Sequence, residues 1–312
     1  TNMGIFGNGR FFETLIRKLH SHNLAELQEV GKGAYDQLSC VIPSFVRRAE
    51  ISHRYYESHA NFHESMDISL NQVAQRCADF PQNPPKAGVK LIDCDVDAPV
   101  KVAAALLFGK THRGLQHLQQ HCRQLSETDL EEIFDASCKH RTNRRHKSPR
   151  ALEHASFTFE IIGDFGIYRD LQRHRLLTQD RQLVSCHYGF SVPVELIGTD
   201  MEEPYCEALE KAKEVYDTIA SELPEEAQYI VPMAYNLRWY FTVNLRALQW
   251  MCELRSMPQG HPHYRYVAQE MARLVCKEFP VFERFLTFVD YEGYELGRLP
   301  QEQRSAVKKE LV

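Results

Sequence analysis

No apolar run in this chain is long enough to cross a bilayer, and no secretory leader is legible in it. Its nine cysteines are odd in number and scattered without a C-x-x-C pair, which argues against a disulfide frame or a cysteine zinc site and suits reduced thiols. Positive charge is not in excess either. Lys and Arg number 37 against 42 Asp and Glu, a net charge of −5 that disfavours general nucleic-acid binding, although local patches remain open to it. These absences lead us to expect a cytoplasmic protein with no membrane or nucleic-acid partner. What is present suffices for a core: 312 residues, 43% of them apolar, make one large or two ordinary domains.

The most informative stretch is 151–181, ALEHASFTFEIIGDFGIYRDLQRHRLLTQDR. Phe157, Phe159 and Ile161 alternate with Thr158, Glu160 and Ile162, the period of a half-buried strand. After Gly163 the period lengthens. Ile167, Tyr168 and Leu171 take helical spacing behind Asp164, a plausible N-cap, in a helix expected to end in Arg173-His174-Arg175. Three adjacent basic groups cannot share one helix direction, so they fan out around whatever lies beyond, and an anionic ligand suits them.

Before this stretch, Asn8-Gly9-Arg10 with Pro43-Ser44-Phe45 nearly matches the spacing of Asn244-Leu245-Arg246 with Pro280-Val281-Phe282, a degenerate internal repeat. It suggests the C-terminal part of a longer two-repeat protein, with residues 1–87 a helical tail of a preceding repeat plus a connector. That connector ends at the Pro-rich break 80–85. His53, His59, His63 and Glu64 could bind a transition metal, but no third ligand is forced nearby and a solvated face is the simpler reading, as it is for His117 and His121. No metal site is expected.

A strand over 89–94 and helices over 99–108, 114–124 and 127–136 follow. The basic loop 141–150, RTNRRHKSPR, is either a solvated charge run or a second arm of an anion site. Residues 176–192 read as loop and 201–223 as an amphipathic helix with Tyr205, Leu209, Ala212 and Tyr216 on one side. An aromatic strand over 237–243 then feeds a helix starting near Asn244, with Leu248, Met251 and Cys252 as its apolar stripe. Arg255 falls about two and a half turns after Arg246, so the two can flank one pocket.

Glu153-His154-Ala155-Ser156-Phe157-Thr158-Phe159, followed by Arg173-His174-Arg175 and Thr178, resembles the signature of the flavin-dependent thymidylate synthases, and Thr242-Val243-Asn244-Leu245-Arg246 resembles their ligand-binding helix. The resemblance covers roughly residues 88–290. It implies an α+β fold with an antiparallel sheet flanked by helices, here in a domain over 88–296 between the helical N-terminal segment and a tail over 297–312. It also implies tetramers with sites between subunits, so a chain of two repeats should pair with one copy of itself. The implied chemistry moves a methylene group from methylenetetrahydrofolate to dUMP, with FAD reduced by NADPH and no cysteine nucleophile. Carried over, Arg173, His174, Arg175, Asn244 and Arg246 contact FAD, and Arg255 holds the uracil and stabilises its ionised N3.

The departures are specific. The family's polar run after RHR-x-x-S is replaced by Asp180, Arg181, Leu183 and Ser185; Asp170 stands where Gln is usual, and Gln228 stands for an Arg before an I-V-P-type strand. Two phosphate-binding guanidiniums are therefore missing, each worth about 1.5–3 kcal/mol. We expect the basic loop to rebuild the anion site, with Asp170, Arg181 and Arg150 on the substrate side. The other reading is a non-catalytic or differently acting nucleotide-binding homologue.

Overall fold

The computed structural model describes residues 4–77, 86–293 and 298–310, so the Pro-rich break 80–85 lies outside the described residues. The chain forms two compact units: Thr1–Pro84 with Ile219–Ala227, and Pro85–Thr218 with Gln228–Val312.

The first unit holds α1 (Gly9–His20), α2 (Ala25–Ser39), α3 (Pro43–Val46) and α4 (Arg54–Ala74). Asn8 opens α1 by accepting a hydrogen bond from the Phe11 amide. Ile16, Val46 and Ala49 form a small core closed by Phe12, Tyr35 and Leu38. His59 and His63, one turn apart on α4, bring their Nε2 atoms to 3.3 Å. Among the described residues, no group of three or more His, Cys, Asp or Glu is arranged to hold a metal.

The second unit is α+β. Its elements are β1 (Gly88–Cys94), α5 (Ala98–Phe108), α6 (Leu115–Cys122), α7 (Glu127–Cys138), β2 (Ser156–Asp164), α8 (Phe165–Leu171), β3 (Thr178–Arg181) and α9 (Glu202–Ala220), while the short α10 (Pro224–Ala227) is counted in the first unit. Then come β4 (Asn236–Asn244), α11 (Leu245–Arg255), α12 (Pro262–Glu278) and α13 (Arg298–Glu310). The sheet is antiparallel in the order β1-β2-β4-β3, so the alternating strand lies inside it. Phe157, Phe159 and Ile161 pair with Val243, Phe241 and Trp239, and all six are buried. On the opposite face the Thr158 and Thr242 hydroxyls meet at 2.8 Å. The core continues into α5, α7, α11 and α12 through Ala103, Phe134, Leu248, Met251 and Met271. Burying each large side chain of this kind contributes about 1.5–3 kcal/mol. No described helix is long and apolar enough to cross a membrane.

Three expectations change. The helix after Asp164 ends at Leu171, and Arg173-His174-Arg175 lies in the turn beyond it, because the chain must reverse to pair Thr178 with Thr242. The segment 176–192 is not all loop. Its Thr-Gln-Asp-Arg run is the edge strand β3, made a strand by pairing with β4 rather than by its own polar pattern. Gln228–Ile230, expected at the approach to a strand, is a 3₁₀ turn. The repeat has structural counterparts: Asn244 caps α11 as Asn8 caps α1, and each capped helix is followed by a second helix and a Pro-initiated short one, Pro43–Val46 or Pro280–Phe285.

Candidate functional site

Two strand-to-helix junctions are built alike. Asp164 ends β2 and accepts from the Ile167 amide at 2.9 Å, and Asn244 ends β4 and accepts from the Ala247 amide at 2.9 Å. The two junctions lie at opposite ends of the antiparallel pair, but β3 pairs Thr178 with Thr242, so the turn 173–177 that leads into β3 and the first turns of α11 reach one region. A cavity of about 650 Å³ lies there, bounded by the loop 141–148, the turn 173–177 and one face of α11.

Its walls carry Arg141, Arg144, Arg145, Lys147, Arg173, Arg175 and Arg246, with Glu153 the lone carboxylate among the lining residues. In a chain of net charge −5 this is a local concentration of cations. They are not equivalent. Arg141 is scaffolding: both terminal nitrogens grip the fully buried Glu253 carboxylate at 2.5 and 2.6 Å, and it also donates to the carbonyls of Arg144 at 3.1 Å and His146 at 3.0 Å. Arg246 donates to the Ser148 carbonyl and to Glu153, both at 2.8 Å, tying α11 to the loop. Hydrogen bonding from Arg150, then from Arg246, holds the Glu153 carboxyl below its ordinary range. Arg144 stacks over Trp250 at 5.8 Å, and its Nη1 is buried without a partner.

Arg173 and Arg175 are exposed at the rim, while His174 turns inward. Its Nε2 accepts from Arg255 Nε at 3.1 Å, so Nε2 carries no proton. Burial, then the Arg255 charge, lowers the His174 pKa to about 4. All three nitrogens of Arg255 have partners: besides the Nε bond, Nη2 donates to the Asp170 carbonyl at 2.6 Å and Nη1 lies 3.4 Å from the Asp170 carboxylate, while the guanidinium sits 5.3 Å from the Tyr264 ring centroid. It does not line the large cavity. Asp170 and Tyr264 instead border a smaller one of about 350 Å³, which shares Arg173 with the first.

Of the residues named from the sequence, Arg173, His174, Arg175, Asn244 and Arg246 thus come together. Arg255 and Asp170 stand behind them. Arg150 does not join: it is 83% exposed, pairs with Glu153 at 3.1 Å and borders a separate cavity with Phe108 and Leu115. Arg181 lies exposed on the edge strand, donating to the Gln182 carbonyl. Gln228, in place of the usual Arg, accepts from the Val184 amide at 3.1 Å. Sequence reasoning missed Trp250 and Glu253. Trp250 is one turn after Arg246, which signals a shared face, and Glu253 sits beside the apolar stripe, which signals a buried partner.

The profile of the family described as thymidylate synthase complementing protein matches residues 90–281. The chain belongs to this family. A UPF0159 protein of Chlamydia pneumoniae is 50% identical over 304 residues, 97% of this chain and 57% of that protein, so the chain spans little more than half of that relative's length. A flavin-dependent thymidylate synthase of Geobacter sulfurreducens is 30% identical over 202 residues, 61% of this chain and 82% of that protein. Among solved structures, the UMP/dUMP methylase PolB of Streptomyces cacaoi, bound with 5-Br dUMP, shares the fold at a TM-score of 0.50 and 22% identity, over 65% of this chain and 96% of that one. For this family member the cavity's cations define the candidate site.

Proposed function

We propose that this chain is the ligand-binding and catalytic part of a cytoplasmic flavin-dependent thymidylate synthase that methylates dUMP with methylenetetrahydrofolate. The observation that carries the reading is the convergence of Arg173, His174, Arg175, Asn244 and Arg246 on one cation-lined cavity. The cavity suits FAD: its free cations match a diphosphate, its Trp250, Leu176 and Met251 suit a planar ring, and the buried Arg144 Nη1 calls for an acceptor. When bound and reduced by NADPH, FAD supplies the hydride for the methylation.

In this reading Arg173 and Arg175 at the rim, with Arg145 and Lys147 opposite, bind phosphate. Asn244 spends its oxygen on the helix cap and keeps its NH₂ group for the ligand. Neutral His174 offers its Nδ1 proton as a donor. Arg255, on release from Asp170, holds the pyrimidine and stabilises its ionised N3. The protein works as a homo-oligomer, and light scattering should find a dimer or larger. Incubation with dUMP, methylenetetrahydrofolate, NADPH and FAD should yield dTMP, and Arg255→Ala should abolish it.

One observation favours a second reading. The Arg255 guanidinium is already occupied by Asp170 and His174 and lies outside the cavity lining, an arrangement suited to a homologue that binds nucleotide without methyl transfer. Tight nucleotide binding with no dTMP formed would select it.

A further inference from the structure

We infer that Trp250 and Arg144 form the seat for the aromatic ring of a phosphate-bearing ligand, Trp250 stacking on the ring and Arg144 Nη1 donating to an oxygen beside it. This rests on the proposed reading of the cavity as a nucleotide site and adds two residues that neither sequence motif contains.

Trp250 is 45% exposed, on the cavity side of α11 one turn beyond Arg246. Between them on that face Ala247 contributes only a methyl group, so the space above this part of the helix is left to a ligand. Every nucleotide base and the flavin ring present a π-face to an indole, whatever their hydrogen-bonding edges. Arg144 supplies the complementary group. Its guanidinium lies 5.8 Å from the indole centroid, within the range of cation–π attraction, yet Nη1 is buried and has no acceptor. A buried charged donor without a partner is unfavourable, and a ligand oxygen in the cavity removes the penalty.

The pair is also held in place. Arg141 fixes the Arg144 carbonyl at 3.1 Å while gripping Glu253, which lies three residues beyond Trp250 on the same helix. The loop carrying Arg144 is thereby indexed to the helix carrying Trp250, and a preorganised seat costs less ordering on binding.

The chain's two tryptophans make the test direct. Trp239 is 2% exposed in the core, so Trp250 is the solvent-sensitive emitter. Tryptophan fluorescence, excited at its red edge, is followed during titration of ADP, dUMP and inorganic pyrophosphate, with affinities from calorimetry; FAD is followed by calorimetry alone, because flavin quenches any nearby tryptophan by energy transfer. The expected result is quenching by at least one nucleotide and not by pyrophosphate. Trp250→Leu should weaken the same nucleotide by about tenfold or more and leave pyrophosphate affinity unchanged, while Trp250→Phe keeps most of the affinity. Equal nucleotide affinity in parent and Trp250→Leu, or equal quenching by pyrophosphate, overturns the inference while leaving the nucleotide site intact. Absence of binding by ADP, dUMP and FAD overturns the site reading itself.

Discussion

Arg255 donates its Nε proton to Nε2 of His174 across 3.1 Å, and so the central residue of the basic triplet is a neutral imidazole with its proton on Nδ1. A cation holding a histidine neutral makes the histidine a donor of defined direction rather than a third positive charge. Burial and Arg255 together bring its pKa to about 4.

The first expectation concerns that proton. In Arg255→Leu the smaller contribution disappears and burial remains, so the His174 pKa should rise yet stay below 6.5. NMR titration of the ring protons measures it. Stability follows with a definite sign: between pH 4 and 6.5 the unfolded chain binds the His174 proton and the folded chain does not, so this contribution falls as pH drops through that window. His263 behaves oppositely. Its bond to Asp164 at 2.6 Å raises its pKa, giving stability that is present below the unfolded value and lost as pH rises through the folded one. Thermal melts of His174→Gln and His263→Gln across pH 4–8 should diverge from the parent in these opposite directions.

Arg141 and Arg145 stand four residues apart and should behave unlike each other. Arg141 is 8% exposed and Glu253 not at all, so Arg141→Ala strands a buried carboxylate and should cost about 3–5 kcal/mol in urea unfolding. Arg145→Ala should leave stability within about 0.5 kcal/mol and weaken phosphate-bearing ligands by about tenfold, roughly 1.4 kcal/mol.

Much of this was legible from local pattern. Alternation marked β2, Asp164 could be read as a cap because a cap acts within three residues, and a helix start near Asn244 was legible although its capping role was not. β3 was not legible, since Thr178–Arg181 is polar throughout and only its partner β4 makes it a strand. The role of Arg141 was hidden for a different reason: its carboxylate lies 112 positions away. Charge density suggested Arg150 as a ligand residue, but it opens a 3₁₀ turn in which positions i and i+3 eclipse, and Glu153 takes it.

Arg150→Ala and Arg181→Ala should therefore leave nucleotide affinity in the large cavity within about twofold of the parent, a change below roughly 0.5 kcal/mol. Parallel calorimetry on the two variants checks this, and a tenfold loss in either would return the basic loop's end or the edge strand to the site.

Asp170→Gln restores the residue that the resemblance leads one to expect and removes a carboxylate 3.4 Å from Arg255 Nη1. The guanidinium is then freer to meet a pyrimidine. Affinity for dUMP should rise several-fold, and a fall would mean that Asp170 itself contacts the ligand.

The central claim is that the cavity between the loop 141–148, the turn 173–177 and α11 binds a phosphate-bearing nucleotide through its free cations. Calorimetric titration of FAD into the parent protein and Arg175→Ala, at low and high salt, tests it most directly. Binding should be saturable, weaken with salt and fall by about tenfold in the variant, the loss of one phosphate contact. Absence of binding, or binding indifferent to both salt and Arg175, would contradict it.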